Sequence, residues 1–204
     1  MTRQAIVDLA QALQDLLGQI DACERDARAV AGGLTDAQLN WQPRDTAWSV
    51  GQCIEHLALI NVFYLEGMRE AVESASRRGT RAFRDLAPSM PGRWFVAQME
   101  PPVRHKVKTL SPLVPPSAVS RAEVLRRYEA SHDAYRELVT ACAAVDVNRV
   151  IVRNPFYRVI RMRMSTVLLV IPAHDRRHLW QARQVLANPG FPGSPPVNET
   201  PGPC

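Results

Sequence analysis

The sequence predicts an all-α protein built as a four-helix bundle, and three observations predict it. Four long segments repeat apolar residues at three- and four-residue spacing, the period of a helix with one buried face. Two of those segments open on capping-box spacing, a Ser followed three residues later by Gln or Glu, at Ser49/Gln52 and Ser120/Glu123. No series of strand-like runs competes with the helices. With 204 residues, 46% of them hydrophobic, the chain can bury a core of its own without disulfide staples.

The first helix is expected over residues 2–31, where Ile6, Leu9, Leu13, Leu16 and Ile20 form the stripe. Gly32-Gly33 stops it, and a short connector follows with Thr35 as a cap and Pro43 as a breaker. The second opens at Ser49 and runs to about Glu73 on Val50, Ile54, Leu57, Tyr64, Met68 and Val72. A long basic interruption then carries Pro88, Pro91, Pro101, Pro102, Pro112, Pro115 and Pro116, too dense a set for a helix interior. The third helix starts at Ser120, with Leu125, Tyr128, His132, Tyr135, Val139 and Cys142 on one stripe. Residues 148–163 read as irregular: Val150-Ile151-Val152 looks strand-like, but Asn154-Pro155 breaks it. Ser165 is expected to cap a fourth helix that ends at Asn188-Pro189-Gly190. The organisation is therefore one domain over 1–188 and a tail over 189–204, whose six Pro and three Gly predict disorder.

Charge excludes some classes of function. Twenty-five basic against twenty acidic residues give a net +5. The excess is concentrated between Ser76 and Lys108, where eight basic residues (Arg77, Arg78, Arg81, Arg84, Arg93, Arg104, Lys106 and Lys108) face only Asp85 and Glu100. Such a distribution does not suit a uniformly basic nucleic-acid binder, and only Phe83, Trp94 and Phe95 are interleaved there. Cys23, Cys53, Cys142 and Cys204 show no paired spacing. The N-terminal segment carries Asp and Gln where a signal peptide needs unbroken apolar residues, and the longest apolar run, Val167 to Ile171, is too short to span a bilayer. A reduced, cytoplasmic protein with no nucleic-acid or membrane partner is expected.

The residues that carry chemistry are polar side chains on core stripes. The fourth helix places Ile171, His174, His178, Gln181 and Val185 on its inward face. Positions four apart lie one above the other, so both imidazoles point at one spot. Burying them is costly without hydrogen bonds or a metal. The pair alone is a weak signal, and two hydrogen-bonded core histidines are its plainer reading. His56 lies on the second helix, two turns past the Ser49 cap. Pro172, two residues before His174, must kink the fourth helix or mark its start.

The flanks add specificity. Trp48-Ser49-Val50-Gly51-Gln52-Cys53-Ile54-Glu55-His56-Leu57 and His174-Asp175-Arg176-Arg177-His178-Leu179-Trp180-Gln181, with Trp41-x-Pro43 before them, resemble the DinB/YfiT-like superfamily of bacterial four-helix proteins. The resemblance spans roughly residues 1–188. It implies that His56, His174 and His178 hold a divalent metal, and it implies a homodimer. Imidazole donors suit zinc, nickel, copper and iron alike, with zinc and nickel placed first. Three neutral imidazoles leave the ion its full charge and an open position, as in catalytic rather than structural sites. Water or a low-molecular-weight thiol would then become a nucleophile near neutral pH. The resemblance therefore implies a metal-dependent hydrolase or a thiol transferase acting on a small molecule. A non-catalytic metal-binding or stress-related bundle is the alternative.

No catalytic base is named. Glu55 neighbours His56 but points about 100° away around the helix. Three residues are candidates to support the ligands from behind: Gln181, His132 and Cys53, although a small buried hydrophobe is the commoner fate of such a Cys. Asp175, Arg176 and Arg177 lie off the His stripe and read as solvated or dimer-facing, and His105 as an exposed loop residue. The basic loop over 77–108 reads first as a solvated loop and second as a surface for an anionic thiol or substrate.

Overall fold

Four long helices form from the four periodic segments: α1 (Gln11–Ala31), α3 (Val50–Arg77), α5 (Arg121–Ala141) and α6 (Met164–Leu186). Two short ones, α2 (Asp36–Leu39) and α4 (Met90–Met99), lie in the connections. A computed structural model describes residues 10–79, 82–103, 109–157 and 159–193. The expected start of the first helix before Ala10, His105 and the tail beyond Gly193 lie outside these residues.

The long helices do not follow one another around the bundle. α3 packs between α5 and α6, and α1 packs between the same two from the opposite side. Helices α5 and α6 therefore face each other across the diagonal. One apolar cluster, built on Leu13, Leu16, Tyr64, Met68, Tyr135 and Leu168, fills one half of the bundle. A second, built on Ala27, Leu39, Ile54, Leu57, Tyr128 and Leu179, fills the half that holds the histidines.

The caps explain where elements start. Ser49 Oγ accepts from Gln52 N–H at 3.1 Å while Gln52 Oε1 accepts from Ser49 N–H at 3.1 Å, a reciprocal box that opens α3. Thr35 and Gln38 do the same for α2. Gly51 has a steric reason: a Cβ there would lie 2.7 Å from the Val119 side chain, so the first turn of α3 can approach the connector before α5 only as glycine.

Four expectations need correction. The proline-rich interruption contains a helix, α4, because Pro91 sits in its first turn, where the missing N–H has no intrahelical partner anyway. Ser89 caps it. Ser120 starts α5 without a side-chain cap bond, and the Glu123 carboxylate pairs with Arg126 and Arg127 rather than closing a capping box. Ser165 is not the cap of α6; Arg163 is, and Ser165 is buried one residue inside. The segment before α6 is an antiparallel hairpin, β1 (Ile151–Arg153) with β2 (Arg161–Arg163), rather than irregular chain. Asn154-Pro155 ends β1 and begins the turn back. At the other end of the chain Phe191 packs edge-on against Trp41, with ring centroids 5.5 Å apart.

Pro172 neither starts nor ends α6, which continues through it. A proline leaves the carbonyl four residues earlier without its donor. Here that carbonyl belongs to Leu168, and it accepts from the Tyr135 hydroxyl of α5 at 2.6 Å. Tyr135 is fully buried, so Tyr135→Phe strands a buried carbonyl at nearly constant volume. It should cost about 1–3 kcal/mol in urea denaturation. In a Pro172→Ala background, where an N–H is restored, the same change should cost much less. Equal costs in both backgrounds would refute the pairing.

Candidate metal centre

His56 on α3 and His174 and His178 on α6 meet where these two neighbouring helices pack, in the half of the bundle that also holds Trp48. One ring nitrogen of each lies within 4.8 Å of those of the other two. His56 and His178 are buried and His174 half-buried. Nε2 of His174 and of His178 are 3.1 Å apart. Two nitrogens each ~2.0–2.1 Å from a tetrahedral ion would be ~3.3–3.4 Å apart, so the spacing fits a shared cation.

The outer ring nitrogens are tied back. His56 Nδ1 lies 2.9 Å from the Leu113 carbonyl, and His178 Nδ1 lies 3.0 Å from Gln181 Oε1. A carbonyl oxygen can only accept, so both Nδ1 atoms carry the proton and both Nε2 atoms keep a lone pair. Orientation of this kind sets the tautomer and ring plane of a ligating histidine. Trp48 covers the rings from one side, its centroid 4.8 Å from that of His56 and 5.5 Å from that of His178, nearly parallel to the latter.

The electrostatics keep the rings neutral. Burial pushes the pKa of His56 down, opposed by the Leu113 bond. Desolvation, then the charges of His56 and Arg177, hold His174 at about 3. His178 is pushed well below the usual range by burial and by its two neighbours. A neutral imidazole is the form that binds a metal. The chemistry of the donor set therefore fits a divalent ion.

A family model described as the DinB superfamily matches residues 19–182. The chain belongs to the DinB superfamily. No curated protein matches it significantly. Among solved structures, one described as "YfiT from Bacillus subtilis is a probable metal-dependent hydrolase with an unusual four-helix bundle topology" aligns with this DinB-superfamily chain at a TM-score of 0.55. The two are 13% identical, over 88% of this chain and 89% of that one. The likeness shows a shared fold.

The other sequence candidates divide. Gln181 stands directly behind His178. Cys53, one turn before His56, is buried in the apolar cluster with its thiol pKa pushed up by burial, and it is not part of the cluster of nitrogens. His132 is elsewhere: its Nε2 is 2.7 Å from Asp175 Oδ2 and its Nδ1 3.4 Å from Glu24 Oε1. Tyr128 also donates to Asp175 Oδ2, at 3.2 Å.

The expectation for the residues between the two histidines of α6 is corrected. Asp175 is wholly buried rather than solvated. Arg176 reaches Glu100 at the end of α4 and Gln19 of α1, and Arg177 donates to the Gln98 carbonyl. Both thereby hold α4 against α6. Glu55 is buried and turned from the histidines as expected, its Oε2 accepting from both Nε and Nη2 of Arg127.

Two contributors escaped the sequence reading. The Leu113 carbonyl belongs to a short 3-10 turn, Ser111–Leu113, inside the proline-rich connection, and no side-chain motif marks a backbone acceptor. Trp48 was visible as part of the block before His56, but its stacking was not.

Proposed function

We propose that the chain is a divalent-metal-dependent enzyme acting on a small molecule, with His56, His174 and His178 as the ligands. The observation that carries this reading is the convergence of three neutral imidazoles whose outer nitrogens are occupied by protein acceptors. An ion bound there supplies Lewis acidity, which makes a water or a thiol nucleophilic near neutral pH. The residues of this chain do the rest. Leu113 and Gln181 hold protons at Nδ1 of His56 and His178, so the lone pairs face inward. Trp48 shields two of the rings from water.

Two reactions remain within this reading, hydrolysis and transfer of a low-molecular-weight thiol. The description of YfiT as a probable metal-dependent hydrolase supports the first. The second is supported by the carboxylates: among the described residues none joins the histidine cluster, and Glu55 is committed to Arg127. A thiol, acidic enough to ionise near neutral pH once its pKa is lowered, depends less on such a base than water does. A cytoplasmic homodimer is part of the same proposal.

The test is turnover by metal-reconstituted protein of a panel of esters and amides, and of electrophiles with and without low-molecular-weight thiols. Activity is expected in one arm, abolished by chelator and restored by zinc or nickel. Full metal occupancy with no metal-dependent turnover in either arm would overturn the enzyme reading in favour of a non-catalytic bundle.

A further inference from the structure

The hairpin between α5 and α6 is not used by the metal centre, and its composition is unusual. Residues 149–163 contain five arginines and no Asp or Glu, a second concentration of positive charge beside the basic loop. Arg149 pairs with Asp146 at 3.4 Å. Arg153, Arg161 and Arg163 have no ion pair among the described residues, and all three are exposed. The register sets Arg153 directly opposite Arg161. Like charges at facing positions destabilise a strand pair, so this arrangement costs the isolated protein stability.

The same hairpin exposes apolar side chains. Val159 is 90% exposed, Tyr157 51%, Ile151 50% and Ile160 45%. These are not loose residues on a slack loop. Asn154, buried at the end of β1, accepts from the N–H groups of Phe156 and Tyr157 at 2.9 Å each. Its side-chain amide donates to the Tyr64 hydroxyl at 2.9 Å, and its N–H donates to the Ile160 carbonyl at 2.9 Å. Phe156 seats against Phe63 and Tyr64 of α3. Asn154, Phe156, Tyr157 and Ile160 are thus tied to one another and to the bundle, and Tyr157, Val159 and Ile160 are exposed between Arg153 and Arg161.

From this juxtaposition we infer that the hairpin is a docking surface for an anionic lipid bilayer, its apolar tip entering the interface and Arg153, Arg161 and Arg163 meeting the headgroups. Charge alone would serve any polyanion, but aliphatic residues at the tip gain nothing from a phosphodiester backbone and gain burial at a lipid interface. Among the described residues no helix is long and apolar enough to cross a membrane, and peripheral docking needs none. The inference does not depend on the metal centre.

The experiment is co-sedimentation of the full chain with phosphatidylcholine vesicles, with and without phosphatidylglycerol, at low and high salt. Binding is expected to the anionic vesicles only, weakening as salt rises. Val159→Asp and the pair Arg153→Glu/Arg161→Glu should each reduce it at least ~10-fold, with unchanged thermal unfolding and metal content. Absence of binding to anionic vesicles would overturn the inference. So would equal binding to neutral vesicles, or full binding by both variants. Retention of duplex DNA without vesicle binding, lost in the arginine variant alone, would likewise overturn it and make the surface a nucleic-acid site.

Discussion

His178→Ala is expected to empty the metal centre. Wild-type protein reconstituted with zinc or nickel should carry about one equivalent by mass spectrometry, and the variant almost none. His178 contributes the nitrogen that lies 3.1 Å from its neighbour, and two imidazoles on different helices do not make a strong site alone. Gln181→Leu should give an intermediate result, ~10–100-fold weaker binding, because it removes the acceptor that fixes the His178 tautomer and leaves the three ligands in place. Stability offers a second reading of the same equilibrium. Metal at ~100 times its dissociation constant should stabilise wild type by about 2.7 kcal/mol and leave His178→Ala unmoved. A full equivalent of metal retained by the alanine variant would remove His178 from the ligand set.

His132→Ala is expected to be among the most destabilising single changes in the chain, at about 3–5 kcal/mol. Both His132 and Asp175 are wholly buried, and removing one leaves the other as an uncompensated polar group in the bundle interior. Replacing both with leucine should recover most of the loss, since a buried pair is costly to break and much less costly to replace. The pair also predicts a pH dependence. Burial alone would lower the His132 pKa, but the charge and hydrogen bond of Asp175, then those of Glu24, raise it to about 9. A histidine whose pKa is higher folded than unfolded contributes fully below its unfolded value, ~6.5, and loses that contribution as pH rises through the folded value. Wild-type stability minus that of the double leucine variant should therefore fall from pH 6 to pH 10, by at most ~3 kcal/mol, and can change sign on the way. Cys53 and Cys142, whose thiol pKa values burial alone raises, cancel in this difference. A difference that is flat or grows with pH would show that His132 is neutral in the folded protein.

The sequence makes the His centre legible because its residues obey the helix period. His174 and His178 share a stripe with Ile171 and Val185, and the Ser49–Gln52 box fixes where α3 begins and so where His56 points. Asp175 obeys the same geometry and was misread. It lies about 100° around α6 from His174. On a helix with one buried face that direction leads to solvent, but α6 is enclosed by α1 and α3 and looks across the diagonal at α5, so the direction leads to His132. Hydrophobic periodicity counts apolar residues, and a polar residue satisfied by a partner on another helix looks like surface. The proline-rich connection hid α4 for a related reason: proline density argues against helix interiors and says nothing against a first turn. The hairpin was obscured by Asn154-Pro155, which reads as a break and is the start of its turn.

Leu113 gives the connection between α3 and α5 a thermodynamic stake in the bundle. Its carbonyl holds the proton on His56, and Gln52 reaches the Pro115 carbonyl beside it at 3.4 Å. Whatever free energy an ion gains from a correctly oriented His56 is gained equally by the docked state of this strap, because coupling between two equilibria is reciprocal. Occupancy of the centre thus becomes visible far from the imidazoles, as protection of the peptide bonds around Leu113 from a protease. Conversely, anything that lifts the strap acts as a competitor of the metal without approaching it.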